Sequence, residues 1–290
     1  MSFDLFLSMI RTYLLLTLAV FCTAPVTSAK GQDAATVHKA LTALYESTNG
    51  GQWKNNVGWD TTTVPATIEG FDSWYGLRVI YGNLNSIDLS HNHLTGSIPP
   101  ELGNLTELQS LRLSDNQLTG SIPSEFGKLT ELWLLHLRRN QLTGSIPPEL
   151  GNLKELGALN LSENLLTGLI PPELGNLKEL GSLNLSNNQL TDSIPPELGN
   201  LKALRFLNLS GNQHTGSIPP ELGNLTALWE LDLRQNQLTG SIPRTFLQIH
   251  RLSRLYLHDN AGVCVPLDNQ FQAWLYSSRT YGGYHRCASH

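Results

Sequence analysis

The chain repeats itself every 24 residues. Shifted by that interval, Asn92, Asn116, Asn140, Asn164, Asn188, Asn212, Asn236 and Asn260 fall into one register with no insertion, which makes eight turns. Each Asn closes the pattern L-x-x-[LI]-x-L-x-x-N, as in Leu108, Leu111, Leu113 and Asn116, and seven turns run on into an Ile-Pro pair, from Ile98-Pro99 to Ile242-Pro243. A fixed period of this length marks a solenoid, because one turn cannot bury its own apolar face and several stacked turns can. Composition agrees: 55 of 290 residues are Leu and only 15% are charged, so apolar side chains must be buried at regular intervals and disorder is excluded. A net charge of -5 provides no basic field to gather phosphates, which argues against a nucleic-acid partner. The 25 Gly and 15 Pro are too few for collagen and too regularly placed in the interior for a coiled coil.

The spacing is the signature of a leucine-rich repeat. The full unit N-x-L-T-G-S-I-P-P-E-L-G-N-L resembles the plant-type subclass found in receptor ectodomains and polygalacturonase inhibitors. The expected fold is an α/β solenoid, curved, with a parallel β-sheet on its concave face and helical caps at both ends. The physics of the unit gives each fixed position a task. Leu132, Leu135 and Leu137 alternate inward along a short strand, and the Asn that follows can satisfy backbone groups of a neighbouring coil that would otherwise be buried unpaired. Gly in the T-G step permits a tight bend, and Ile-Pro starts an extended convex side. Two turns depart from the pattern: His214 stands where the others have Leu, and Asp192 replaces the Gly. His214 reads as a tolerated polar residue whose ring fills the gap, and as a local weak spot.

The organisation follows: a signal peptide at 1–29, an N-terminal cap at 30–83, the eight repeats at 84–260 and a C-terminal cap with a disulfide at 261–290. Arg11, an apolar run from Tyr13 to Ala24 and Thr27-Ser28-Ala29 have the layout of a secretory signal. That run is far shorter than the roughly 20 residues needed to cross a bilayer, and Met9 offers an alternative start. The mature chain is expected to be secreted or held at the cell surface, or periplasmic in a bacterium, with no membrane span of its own. Export places Cys264 and Cys287 in an oxidising compartment, where they are expected to bridge, a closure worth on the order of 3 kcal/mol. The N-terminal cap is expected to be a helix from Asp33, with Val37, Ala40, Leu41 and Leu44 on one face, followed by an aromatic plug of Trp53, Trp59, Trp74 and Tyr75. Its pattern A-L-x-A-L-Y-x-x-T-x-G-x-x-W resembles caps on exported repeat proteins and lacks the cysteine pair of the plant receptors and inhibitors. At the other end, Asp268 is expected to cap a short helix carrying Phe271, Trp274 and Leu275.

Function must lie on positions the scaffold leaves free. The third, fifth, seventh and eighth residues of each turn are expected to line the concave face, with the second at its rim. Two groups of residues stand out there. The first is Trp133, His136, Arg138 and Arg139; the second is Phe206, Trp229, Asp232, Arg234, Tyr256 and His258. Trp, Tyr and Arg carry most of the energy of protein interfaces, so these residues are the candidate ligand site. Between them lie small polar groups such as Ala158, Asn160, Ser182 and Asn184, which suit a shallow groove. The reading is an exported, non-catalytic recognition protein that binds a protein or peptide, with enzyme inhibition as a narrower version. The alternative is a glycan or cell-wall adhesion module, and a remote one is ice or crystal binding through the ladder Thr95, Thr119, Thr143, Thr167, Thr191, Thr215 and Thr239. No nucleophile, base and orienter occur together, so no enzyme activity and no cofactor are expected, and His91, His93 and Asp88 do not have metal-ligand spacing. The sequons at Asn104, Asn160, Asn184, Asn208 and Asn224 arise from the repeat consensus and matter only in a eukaryotic secretory pathway.

Overall fold

Every coil contributes a short strand, and stacking the coils joins these strands into one sheet. The computed structural model describes residues 32–260, 262–277, 279–281 and 285–287. The signal segment at 1–29 lies outside the described residues, and those described belong to one unit, Gln32–His290. Ten strands lie side by side in the order of the coils. Leu77–Ile80 and Asn83–Asp88 form an antiparallel hairpin, and every later neighbour is parallel. The register is the sequence period itself: Leu135 pairs with Leu111 on one side and Leu159 on the other. Beyond the eight repeats, Arg279–Tyr281 adds a further parallel strand against Arg254–Tyr256.

Leucines at the first, fourth and sixth places, such as Leu132, Leu135 and Leu137, are fully buried in a core that runs the length of the solenoid. On the convex side each Ile-Pro leads into a 3₁₀ helix, for example Pro148–Asn152, with Leu150 buried beneath it. The Gly of P-E-L-G-N is required by close packing: a Cβ on Gly151 would stand 2.5 Å from the Glu173 carbonyl oxygen of the next coil.

The Asn ladder stitches the coils. Nδ2 of Asn164 donates to the Leu137 carbonyl of the preceding coil at 3.0 Å and to its own Leu161 carbonyl at 3.0 Å. Its Oδ1 accepts the Leu142 N–H at 3.1 Å. The same three bonds recur at Asn140, Asn188, Asn212 and Asn236. Backbone groups that have no strand partner at the bend are thus paired through side chains.

Helix α1 (Ala34–Ser47) covers the first coil. Asp33 caps it, its carboxylate accepting the Thr36 N–H at 2.8 Å, and Val37, Ala40, Leu41 and Leu44 are buried. The aromatic plug beside it contains Trp53, Trp59 and Trp74 in edge and tilted contacts with centroids 4.8 to 5.0 Å apart. Tyr75 is not part of it; that ring is 39% exposed, and Tyr45 and Phe71 complete the cluster instead. Tyr75 contributes through its backbone, whose carbonyl accepts from the Trp59 indole at 2.9 Å. At the far end, Asp268 accepts the Phe271 N–H at 3.0 Å at the start of α2 (Asn269–Ser277), which buries Phe271 and Leu275. Cys264 and Cys287 form a disulfide with Cα atoms 4.9 Å apart.

The two consensus departures meet in space. His214 occupies the Leu slot and is completely buried, with Nδ1 at 3.2 Å from the Thr191 carbonyl and 3.3 Å from that of Asp192. Asp192 takes the left-handed conformation that Gly adopts in the other coils, φ 62° against 75° at Gly144. Nε2 of His214 is buried with no hydrogen-bond partner, and burial pushes the imidazole below its ordinary pKa.

Asn164→Ala leaves a buried N–H and carbonyls unpaired, at roughly 1–3 kcal/mol each, so chemical denaturation should show a loss of about 3 kcal/mol or more. His214→Leu restores the apolar filling and should raise the melting point by a few degrees, at about 2–4 °C per kcal/mol for a chain this long. The unfolded imidazole takes up a proton below about pH 6.5, whereas the folded one resists it, so this contribution to stability is complete above 6.5 and is lost as pH falls. Melting curves from pH 7 downward should therefore decline less steeply for His214→Leu than for the parent.

Candidate functional site

Alternation along each strand turns the third and fifth residues to the concave face, and the register stacks them into rows. The fifth-place row runs Arg112, His136, Asn160, Asn184, Asn208, Asp232, Tyr256. Beside it the third-place row runs Ser110, Leu134, Ala158, Ser182, Phe206, Glu230, Arg254. The strands cover only the third to fifth places, as in Leu134–His136. The eighth residue does not continue them: Asp115, Arg139 and Glu163 have φ of 56°, 51° and 56°, so the chain already turns there and these side chains sit at the edge of the face.

The second group of residues makes two sets of contacts on adjacent strands. Phe206 meets Trp229 edge to face with centroids 5.5 Å apart, and the Arg254 guanidinium lies 4.4 Å over the Trp229 ring. Arg254 also pairs with Glu230 at 3.1 Å. Arg234 stands 5.3 Å over Tyr256 and 3.1 Å from the Asp232 carboxylate. Burial pushes the Asp232 carboxyl above its ordinary pKa, against the pull of Arg234. His258 lies at the margin, with Nδ1 2.9 Å from Asp259. The cluster is half-buried, so its side chains are held by one another while offering an edge to the groove.

The first group is organised differently. Trp133 is half-buried at the rim and His136 is buried on the sheet, where burial and the nearby Arg112 lower its pKa to about 4 against the opposing pull of Asp88. Arg138 and Arg139 both bind Glu163 of the next coil, at 2.6 and 3.0 Å, and Arg139 also reaches back to Asp115 at 3.1 Å. Burial of Glu163 would raise its pKa, but the two guanidiniums win and hold it below the ordinary value. The cations predicted as contacts are therefore already neutralised within the scaffold. Three strand steps separate His136 from Phe206 and Asn208, or ~14 Å at ~4.8 Å per step.

Repeat consensus concealed a further feature. Leu165 and Leu169 replace the Gln and Ser of other coils, and they are 44% and 48% exposed. Their signal was the departure from consensus, which is hard to see among so many structural leucines. His91 lies 3.5 Å from Asp115, and among the described residues no group of three His, Cys, Asp or Glu could hold a metal ion. Nor is any helix among the described residues long and apolar enough to cross a membrane.

Comparison with known proteins places this geometry. Residues 82–142, 155–177, 178–228 and 227–249 match models described as leucine-rich repeats. No curated protein sequence matches the chain. Among solved structures, the LRR ectodomain of the plant membrane receptor kinase GASSHO1/SCHENGEN3 from Arabidopsis thaliana, in complex with CASPARIAN STRIP INTEGRITY FACTOR 2, is 30% identical with a TM-score of 0.71. The match covers 86% of this chain and 29% of that one. The Arabidopsis receptor kinase HAESA ectodomain, in complex with an N-terminally extended IDA peptide hormone ligand, is 30% identical with a TM-score of 0.63, over 84% of this chain and 44% of that one. The chain thus spans less than half the length of either receptor chain. A plant ice-binding protein has a TM-score of 0.60 over 89% of this chain and 99% of that one, but at 24% identity the likeness is one of fold.

Proposed function

Since the chain is a leucine-rich repeat protein of the plant-type subclass, we propose that it is an exported, non-catalytic recognition protein that binds a protein or peptide ligand on its concave face. The observation that carries this reading is the contact set of Phe206, Trp229 and Arg254, with Arg234 over Tyr256 beside it, an aromatic and guanidinium group whose members hold one another in place on the sheet. Side chains of these types supply most of the energy at interfaces, and holding them in place beforehand reduces the entropy lost on binding. The two receptor ectodomains support the same reading, since one is described with a peptide hormone ligand and the other with CASPARIAN STRIP INTEGRITY FACTOR 2. Inhibition of a secreted enzyme is a narrower form of the proposal.

A glycan or cell-wall adhesion role fits this cluster less well. A sugar ring would stack on an open aromatic face, whereas Arg254 covers one face of Trp229 and Phe206 packs against the same ring. Two members of the threonine ladder have hydroxyls already engaged within the scaffold, Thr119 and Thr143 donating to the Gly96 and Gly120 carbonyls of the preceding coil at 3.0 and 3.3 Å, which leaves fewer to an ice surface. Leu169 also interrupts the adjacent serine row.

Panning the immobilised protein against a displayed library of linear peptides tests the proposal. Trp229→Ala should weaken the selected peptides by about 2 kcal/mol, roughly 30-fold, as expected for an interface anchor. Binding that is unchanged in both Trp229→Ala and Phe206→Ala would place the ligand elsewhere.

A further inference from the structure

Between the two side-chain groups the rim of the face is cut away. Gly157 and Gly181 hold the second place of their coils, where other coils have Gln109, Trp133, Arg205 and Trp229. The fold does not require either glycine. A Cβ on Gly157 would meet only the Trp133 carbonyl oxygen at 3.5 Å, and one on Gly181 only the Gly157 and Ala203 carbonyl oxygens at 3.6 and 4.0 Å, all ordinary contacts. Neither has a positive φ, unlike Gly144 or Gly168. The third place narrows in the same coils, from Leu134 and Phe206 on either side to Ala158 and Ser182.

The floor of this notch presents donors without acceptors. Ser182 is 2% exposed, and its hydroxyl has no hydrogen-bond partner. In the next row, Oδ1 of Asn160 accepts both the N–H and the hydroxyl of Ser162, at 3.1 and 2.7 Å. Asn184 is held in the same way by Ser186, and Asn208 by Ser210. Fixing each oxygen turns each Nδ2 the other way. Among the described residues, no acceptor meets the Nδ2 groups of Asn160, Asn184 or Asn208. The floor positions Ala158, Asn160, Ser182 and Asn184 carry no charge, while Arg205 flanks the notch at the rim and Glu163, at the edge of the face, is paired with Arg138 and Arg139.

We infer that this notch takes the backbone of an uncharged, extended peptide segment, which runs along the face past Gly157 and Gly181. Its carbonyls accept from the amides of Asn160, Asn184 and Asn208. This rests on the peptide-binding reading above and assigns the part of the ligand that is recognised by main chain. From Trp133 to Arg205 is three strand steps, ~14 Å, which accommodates about four residues of extended chain.

The test uses the same displayed peptide library, panned on the full protein, with the affinity of the selected peptides then measured for variants. Gly157→Leu with Gly181→Leu fills the notch and should weaken binding about tenfold or more, whereas Gly157→Ala with Gly181→Ala should change it less than about threefold. Asn184→Asp keeps the acceptor that holds Ser186 but replaces the donor, and should also cost about tenfold. Melting temperatures should match the parent in all three. Peptides that lose affinity on Trp229→Ala yet bind the leucine pair and Asn184→Asp as well as the parent overturn this inference and leave the peptide-binding reading standing. A library from which no peptide is enriched over a blank surface overturns both.

Discussion

One carboxamide per coil ties the solenoid together. A strand of three residues followed by a sharp bend strands backbone groups that no sheet partner can reach, and in a coil packed on both sides water cannot reach them either. The Asn side chain supplies both missing partners at once, linking Asn164 to Leu137 and Leu142 of the coil before it. These bonds fix the offset between coils as firmly as the sheet does. An insertion between two turns would move the amide away from its carbonyl and leave both buried, which explains why eight turns repeat without a single length change. The leucine core fills the space that this arrangement defines.

Constant register has an electrostatic consequence. Side chains at equivalent places in successive coils stand one strand spacing apart, close enough for an acid in one coil to neutralise a base in the next. Asp115 with Arg139, Arg138 with Glu163 and Glu230 with Arg254 all do so. The concave face is therefore rich in charged residues and yet internally balanced. What it offers a partner is an aromatic edge at the Phe206 and Trp229 end and a floor of amides and small residues beside it. Such a surface selects by shape and hydrogen bonding, not by attraction of net charge.

The scaffold was legible in the sequence because each of its physical requirements recurs at a fixed interval. The inward leucines, the bend Asn, the capping Asp33 and Asp268 and the cysteine pair all appear where the spacing predicts them. The candidate site was legible in part. Its candidate residues follow from the strand pattern, but that pattern read within one coil does not show that Arg138 and Arg139 meet acids one coil away; a shift of 24 or 25 brings Asp115 and Glu163 to them. Tyr75 failed for a different reason. An aromatic residue next to Trp74 shares its composition, but Tyr75 sits in the turn that leads to Leu77–Ile80 and its ring is exposed, so proximity in sequence predicted burial that the turn does not provide. Nothing in the repeat spacing separates the glycines at 157 and 181 from those that serve a bend. Only the space around their Cα atoms shows that no bend or close contact demands them.

Amide hydrogen exchange on the protein with and without a library-selected peptide tests most directly whether the concave face is the recognition surface. Protection should rise in the strands Ser182–Asn184, Phe206–Asn208, Glu230–Asp232 and Arg254–Tyr256 and stay unchanged in the convex 3₁₀ helices. Protection that appears instead on the convex segments Pro172–Asn176 to Pro220–Asn224, or along the exposed edge that carries Leu165 and Leu169, would contradict the account.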